Sequence, residues 1–431
     1  MDFLFYDNNA SSASGWKETL KLISGEAEGK DIRALTRTLV SFADRFGLTG
    51  NVWQQWLTYI LMTHENAFTM ACERIKVPED ATIMKLAAGD LECFAKLFGA
   101  KPEEMSADSS ASLLGAFTDY TAPHLGEGAS GAGKRIAALC GSLAGADRTA
   151  DFIRIITGYY EEYGVGIYGL YKAFRVDDVS DEHELIPVTD GADVTFDDLI
   201  GYESQKQTLK DNTEAFVRGA HANNVLLYGD SGTGKSTSIH ALMHDYYDRG
   251  LRLVEISRTG RRQLPQVMAQ IKKRNYRFIS FLDDLSFEEN ESDYKELKAM
   301  LEGALESKSD RVVIYATSNR RHLIRETWRD RNDMEYQEDI HHSDTMEEKL
   351  SLASRFGVTI YYSKPDAREY LGIVRALTAK RGIDISEKEL DDIARKWDLR
   401  HGGMSGRTAS QLITWLENGI LTERSDQNGK R

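Results

Sequence analysis

Residues 229 to 237 read Gly229-Asp230-Ser231-Gly232-Thr233-Gly234-Lys235-Ser236-Thr237. Three glycines at this spacing let backbone amides turn inward onto phosphate oxygens, and a helix that starts near the lysine directs its positive end at the same anion. Lys235 is then placed to meet the β- and γ-phosphates of a nucleotide, and the Ser236 hydroxyl to meet a Mg2+ ion. The run needs a strand before it and a helix after it. Asn224 to Tyr228 (NVLLY) and the following TSIHALMHDYY supply both. Chance produces this pattern in about one chain in sixty of this length. A second run, Gly128 to Lys134 (GASGAGK), tests the reading: it has Arg135 where the hydroxyl belongs and no apolar strand before it. Without the hydroxyl the chance expectation rises to roughly one chain in eight, so we read this run as a mobile loop leading into a helix.

A phosphate site also needs a carboxylate at the end of a neighbouring strand to hold a hydrated metal, and a polar group to direct water. Phe278-Ile-Ser-Phe-Leu-Asp283-Asp284 has that form, with Asp283 on the metal side and Asp284 as the group that polarises water. A helix N-cap in the turn after a strand is the alternative role for Asp284. Glu288 is a possible substitute for it. A third apolar strand, Val312-Val-Ile-Tyr-Ala, runs into Thr317-Ser-Asn319.

In this order the motifs resemble those of AAA+ proteins. The resemblance implies that Asn319 is the first sensor, between the metal carboxylate and the γ-phosphate. It also implies that Arg355, in EEKLSLASRFG, is the arginine finger given to a neighbouring subunit, and that Arg407, in Ser405-Gly406-Arg407, is the second sensor. Ile200, Gly201 and Tyr202 are similar to the segment that borders the adenine, although a hydrophobic staple before a helix looks alike. Together GYExQK, NNVLLYGxxGTGKS, DDLSFE, YATSNRRHL, EEKLSLASRFG and SGRxASQ resemble one bacterial AAA+ family known as an ATP-binding domain of unknown function, from about Thr195 to Leu416. The implied ligands are ATP and Mg2+, and the implied activity is ATP hydrolysis at a site shared between subunits of a homo-oligomer. Two departures stand out: Asp284 is shorter than the Glu many such ATPases carry, and Ser231 stands where a basic residue is expected.

The elements that must position these residues follow from periodicity. From Trp16 to about Arg175 apolar residues recur at three and four, as in Ile32, Leu35, Leu39 and Phe42, which predicts a mainly α-helical N-terminal domain over 1–175. The aromatic-rich stretch Phe152 to Phe174 is read as packed core. Between Val176 and Asp198 stand nine Asp or Glu and no Lys or Arg, read as an acidic linker over 176–198. Short apolar runs then alternate with helical segments, which predicts an α/β domain over 199–363 with a parallel sheet covered by helices on both faces. A helical lid domain over 364–422 and a polar tail over 423–431 complete the division.

The 68 acidic against 54 basic residues give a net charge of −14, which argues against a general coat for nucleic acid or anionic membrane and leaves room for a local basic site. Cys72, Cys93 and Cys140 have no metal or redox spacing and read as buried reduced thiols. The start, MDFLFYDNNASSAS, has no basic n-region and no long apolar core, so no secretory signal and a cytoplasmic location are expected.

Three uses of ATP remain open. The first is remodelling of a macromolecular partner held by the N-terminal domain, although SRTGRRQLPQ lacks the aromatic of a threading loop. The second is a nucleotide-switched nucleic-acid clamp or loader using Arg258, Arg261, Arg262, Lys272, Lys273, Arg274 and Arg277; the alternative for this cluster, a solvated helix face, is preferred. The third is a small-molecule kinase, which needs neither a trans arginine nor a helical sensor domain.

Overall fold

The computed structural model describes residues 3–6, 15–122, 131–176, 185–188, 194–257, 259–285, 310–319 and 355–428, without the side chains of 261, 262, 264 and 420–428. Glu288, Arg258, Arg320 and Arg321 lie outside the described residues, as do the side chains of Arg261 and Arg262. The chain forms two compact units, Met1–Tyr171 and Lys172–Arg431.

The first unit is built from helices α1 (Trp16–Ser24), α2 (Gly29–Phe46), α3 (Val52–Thr63), α4 (Ala67–Arg74), α5 (Thr82–Gly99), α6 (Gly131–Ala144), α7 (Thr149–Tyr163) and α8 (Ile167–Leu170). In α2 the three-and-four spacing buries Ile32, Leu35, Leu39, Phe42 and Phe46 on one face. A reciprocal Glu28/Asp31 capping box starts that helix, and left-handed Gly47 ends it. Trp16, Trp53 and Trp56 are fully buried, and Trp16 stacks on Phe94 at 5.9 Å. The aromatic stretch is core, as its spacing predicts: Phe152, Tyr159, Tyr160 and Tyr168 are buried, and the Tyr160 hydroxyl donates to the Leu61 carbonyl. Cys72 and Cys140 are buried while Cys93 is only half-buried, and burial pushes the Cys72 thiol up to about 12, which leaves it unreactive near neutrality. Gly131 to Lys134 of the second glycine run form the first turn of α6.

The second unit carries a seven-stranded sheet: β1 (Ala173–Val176), β2 (Leu185–Pro187), β3 (Val225–Gly229), β4 (Leu251–Ile256), β5 (Arg277–Leu282), β6 (Val312–Ser318) and β7 (Val358–Tyr362). Their spatial order is β2-β1-β4-β5-β6-β3-β7, and every pair is parallel except β1 with β2. β1 and β2 correct the boundaries drawn from composition. Periodicity and charge assign residues 173–175 to the helical domain and 176–198 to a linker, yet Phe174, Val176 and Leu185 are buried in the sheet. Three or four apolar residues among nine carboxylates give too short a pattern to be read as a strand.

The central strands bury both faces, as parallel strands under helices do. Val225, Leu227, Leu253, Ile279, Phe281, Val313 and Tyr315 share one core with Leu209 and Phe216 of helix α9 (Glu203–Val217) and with Ile239 and Leu242 of helix α10 (Lys235–Tyr246). A short helix, α11 (Leu264–Ile271), precedes β5. Beyond β7 three helices, α12 (Ala367–Lys380), α13 (Glu387–Arg400) and α14 (Gly406–Asn428), enclose a separate core of Tyr370, Val374, Leu390, Ala394, Leu412 and Ile413. No helix among the described residues is long and apolar enough to cross a membrane.

Gly229, where β3 turns into the phosphate loop, has φ +128°, and a Cβ there would stand 2.1 Å from the Tyr362 carbonyl oxygen. Gly229→Ala is expected to lose at least ~1–3 kcal/mol of stability in urea unfolding. Gly250→Ala, also at positive φ but with nothing within 4 Å, should lose only the left-handed penalty of ~1 kcal/mol. Equal losses would remove the close approach as a constraint.

Candidate nucleotide-binding site

The loop from Gly229 to Gly234 leaves the carboxyl end of β3, and α10 begins at Lys235. Because β3 pairs with β6, and β6 with β5, the ends of these three strands lie side by side. Asp283 and Asp284 follow β5, while Thr317 and Ser318 end β6 and Asn319 comes next, so parallel register brings them to the loop.

Lys235 is 5% exposed, and its ammonium donates to the carbonyls of Gly229 (3.2 Å) and Asp230 (2.6 Å) and to Asn319 Oδ1 (2.9 Å). Burial pulls its pKa down from 10.5 to about 8, against the opposing charges of Asp230, Asp283 and Asp284. The Ser236 hydroxyl donates to Asp283 Oδ1 at 2.7 Å. The Asn319 amide donates to Asp284 Oδ1, also at 2.7 Å. Asp284 has φ +50°, a region unfavourable for a residue with a Cβ. Its N–H donates to Thr317 Oγ1 at 3.0 Å, and the next N–H, of Leu285, donates to the Thr317 carbonyl at 2.7 Å. The Thr317 hydroxyl in turn donates to Asp283. Two chains of contact result, Ser236–Asp283–Thr317 and Lys235–Asn319–Asp284.

Within the loop, the Thr233 hydroxyl donates to the Asp230 carbonyl, Ser231 is exposed, and Thr237 is half-buried in the first turn of α10. Leu199 lies directly against Gly234, where a Cβ would meet its side chain at 2.2 Å. Ile200 packs on the core of α12–α14, and Tyr202 packs on the sheet core with its ring 5.1 Å from that of Tyr362. Gly201 and Tyr202 both have positive φ, and the Tyr202 hydroxyl donates to the Ser363 carbonyl. The segment Leu199 to Tyr202 thus joins the loop, through Leu199, to the sheet and the three-helix domain. Arg407 also comes to the loop: its N–H donates to the Gly232 carbonyl at 3.2 Å, while its side chain is exposed.

Arg355 is not brought to this loop. It lies three residues before Val358 at the amino end of β7, and the register pairs Val225 with Val358 and Gly229 with Tyr362. Four strand steps of about 3.3 Å put on the order of 13 Å between that end of the pair and the loop. The basic cluster is also divided: Arg274 is buried, and Arg277 is half-buried over the Phe216 ring at 5.5 Å.

Two contributors carry no clear sequence signal of their role. Thr317 ties both carboxylate positions together, and only its place as a polar residue closing an apolar strand hints at this. The Asp230 carboxylate, placed by its spacing in the phosphate cradle, accepts the N–H of Lys364 at 2.8 Å.

A glycine loop between strand and helix, acidic residues after β5, a polar tip on β6 and a helical domain touching the loop define an AAA+ P-loop protein. The strand order β7-β3-β6-β5-β4 within the sheet carries the same conclusion. More particularly, the chain belongs to the family described as "Protein of unknown function (DUF815)", which matches residues 170–420 and so takes in β1 and β2. The replication factor C large subunit of Nanoarchaeum equitans is 21% identical over 239 residues, 53% of this chain and 47% of that protein. Spastin of Rattus norvegicus is 24% identical over 275 residues, 56% of this chain and 41% of that protein. The chain thus spans less than half the length of these curated relatives. Among solved structures, the Thermotoga maritima RuvB Holliday junction branch migration motor is 16% identical with a TM-score of 0.37, covering 54% of this chain and 66% of that one. The FIGL-1 AAA domain in complex with ADP is 19% identical with a TM-score of 0.37, covering 52% and 73%.

Enclosing the charged Lys235 opposes folding below pH 8, and that cost fades as pH rises from about 8 toward the ordinary value of 10.5. Lys235→Met is therefore expected to match or exceed wild-type stability at pH 7 in urea unfolding, with the difference narrowing as wild type gains stability toward pH 10. A loss of more than ~2 kcal/mol at pH 7 would mean that the three hydrogen bonds of Lys235 outweigh its burial.

Proposed function

We propose that this chain is an ATPase that binds ATP at the Gly229–Thr237 loop and hydrolyses it at a site completed by a neighbouring copy, using turnover to remodel or switch a macromolecular partner. The observation that carries the reading is the pair of linked contacts, Ser236 to Asp283 and Lys235 to Asn319 to Asp284, at the mouth of the loop.

A hydroxyl and a carboxylate oxygen 2.7 Å apart are the hard donors that Mg2+ takes, usually with several waters. Ser236 and Asp283 would hold the ion, which supplies positive charge at the β- and γ-phosphate oxygens. Lys235 exchanges its carbonyl partners for phosphate oxygens and neutralises the charge that grows on them. Asp284 accepts the proton of the attacking water, and Asn319, already bonded to both Lys235 and Asp284, fixes the distance between base and phosphate. Ile200, Gly201 and Tyr202 border the adenine, and Arg407 senses the γ-phosphate from the first turn of α14.

Arg355 lies at the far end of β7, a position suited to a partner subunit's nucleotide rather than to its own. A homo-oligomer is therefore part of the proposal. The N-terminal helical unit is assigned to the macromolecular partner.

The two other uses are less well supported. A nucleic-acid clamp using the basic cluster loses Arg274 to the core and much of Arg277 to Phe216. A small-molecule kinase leaves the contact between α14 and the phosphate loop without a purpose.

Two variants test the proposal by steady-state hydrolysis beside equilibrium nucleotide binding. Arg355→Ala should cut turnover on the order of 10³-fold while ATP affinity is retained. Wild-type specific activity should rise with protein concentration. Flat activity from a monomer, unaffected by this substitution, would favour the kinase. Asp284→Asn should lower turnover by about 10²–10⁴-fold with binding retained, and full activity in that variant would reassign the base.

A further inference from the structure

The second residue of the phosphate loop makes a contact that a phosphate cradle does not require. Asp230 is 7% exposed, and its carboxylate accepts the Lys364 N–H at 2.8 Å. Its own N–H donates to the Tyr362 carbonyl, and its carbonyl accepts both the Lys235 ammonium (2.6 Å) and the Thr233 hydroxyl (2.8 Å). Lys364 stands between the end of β7 and Asp366, the N-cap of α12, so it belongs to the connection through which the chain passes from the sheet into the three-helix domain. At the other side of the loop the Gly232 carbonyl accepts the Arg407 N–H, and a Cβ on Gly232 would stand 3.1 Å from Ser405 Oγ. One short loop therefore holds the helical domain both where the chain enters it and at its last helix.

A carboxylate enclosed beside a phosphate seat opposes the anion, so the cradle itself does not call for it. The carbonyl of the same residue is where Lys235 rests. When Lys235 moves onto phosphate, the hydrogen bonding of the Asp230 peptide changes directly.

We propose that Asp230 is a positioning residue that couples the phosphate loop to the helical domain, with its carboxylate gripping the Lys364 amide as the link between nucleotide occupancy and the angle of that domain. The proposal rests on the nucleotide site described above. Its elements are the Lys235–Asp230 carbonyl bond, which phosphate replaces, and the Asp230–Lys364 bond, which carries the change to the hinge.

The test is amide hydrogen exchange of residues 363–366 in the full chain, with and without Mg-ATP, run beside ATP affinity and the kcat and KM of hydrolysis. In wild type the Lys364 amide should be protected and should respond to nucleotide. In Asp230→Ala its exchange should be about tenfold faster and no longer respond, with kcat down at least about tenfold and ATP affinity equal to or above that of wild type. Asp230→Asn keeps an acceptor oxygen and should restore both protection and most of kcat. Wild-type hinge response or wild-type kcat in Asp230→Ala would overturn the coupling. So would an equal loss of affinity and kcat in both variants, because Asp230 would then serve only the shape of the loop. A wild-type chain that binds no ATP would sink the nucleotide site itself, an outcome distinguished by the affinity measurement alone.

Discussion

The site depends on where β3 pairs: it is hydrogen-bonded to β6 and β7, not to β4, its successor in the chain. After the phosphate loop the chain crosses past two strand positions to β4 and returns through β5 and β6, so β6 ends beside β3 and β5 ends one strand further away. Parallel direction then puts all three carboxyl ends on one side, at the kind of strand-order reversal where α/β sheets open a crevice. If β3 paired with β4 on the other side of β5, Asn319 at the tip of β6 would stand three strands from Lys235 instead of on the neighbouring strand. The chemistry therefore rests on a topological choice that no single site residue controls.

The loop is a compact electrostatic assembly. Lys235 is enclosed by two carbonyls and an amide oxygen, with three carboxylates near enough to favour its charge against burial. Each contact is of a kind that phosphate replaces with a stronger one, since charge-assisted bonds to anionic oxygen exceed those to neutral carbonyls. Thr317 gives the acidic side a matching rigidity. Its hydroxyl donates to one aspartate and accepts from the backbone of the next, which holds Asp284 in its unfavourable backbone region.

The phosphate loop was legible from sequence because its chemistry demands fixed residue types at fixed spacing, and the strand and helix around it are long enough to show their periods. The aspartates after β5 were legible as carboxylates that end an apolar strand, and Asn319 after β6 only through the resemblance to AAA+ proteins. Thr317 was not, because its role depends on the register that sets Leu282 opposite Ala316, which composition does not encode. The Asp230 contact spans a sequence separation of 134, from the loop to a hinge whose position requires the finished fold. The basic cluster misleads in the opposite direction. Counting charges between 258 and 277 cannot separate Arg274, which is buried, from Lys273, which is exposed.

The short strand β2 gives the acidic stretch a meaning that composition alone missed. A parallel sheet rich in apolar and aromatic residues is a template for unwanted pairing wherever its margin is bare. Here one margin is closed by a three-residue antiparallel strand that ends in Pro187, which has no N–H to offer an incoming chain. Nine carboxylates between Val176 and Asp198 surround it in sequence. The segment that reads as a spacer between domains thus carries the strand that finishes this margin of the sheet.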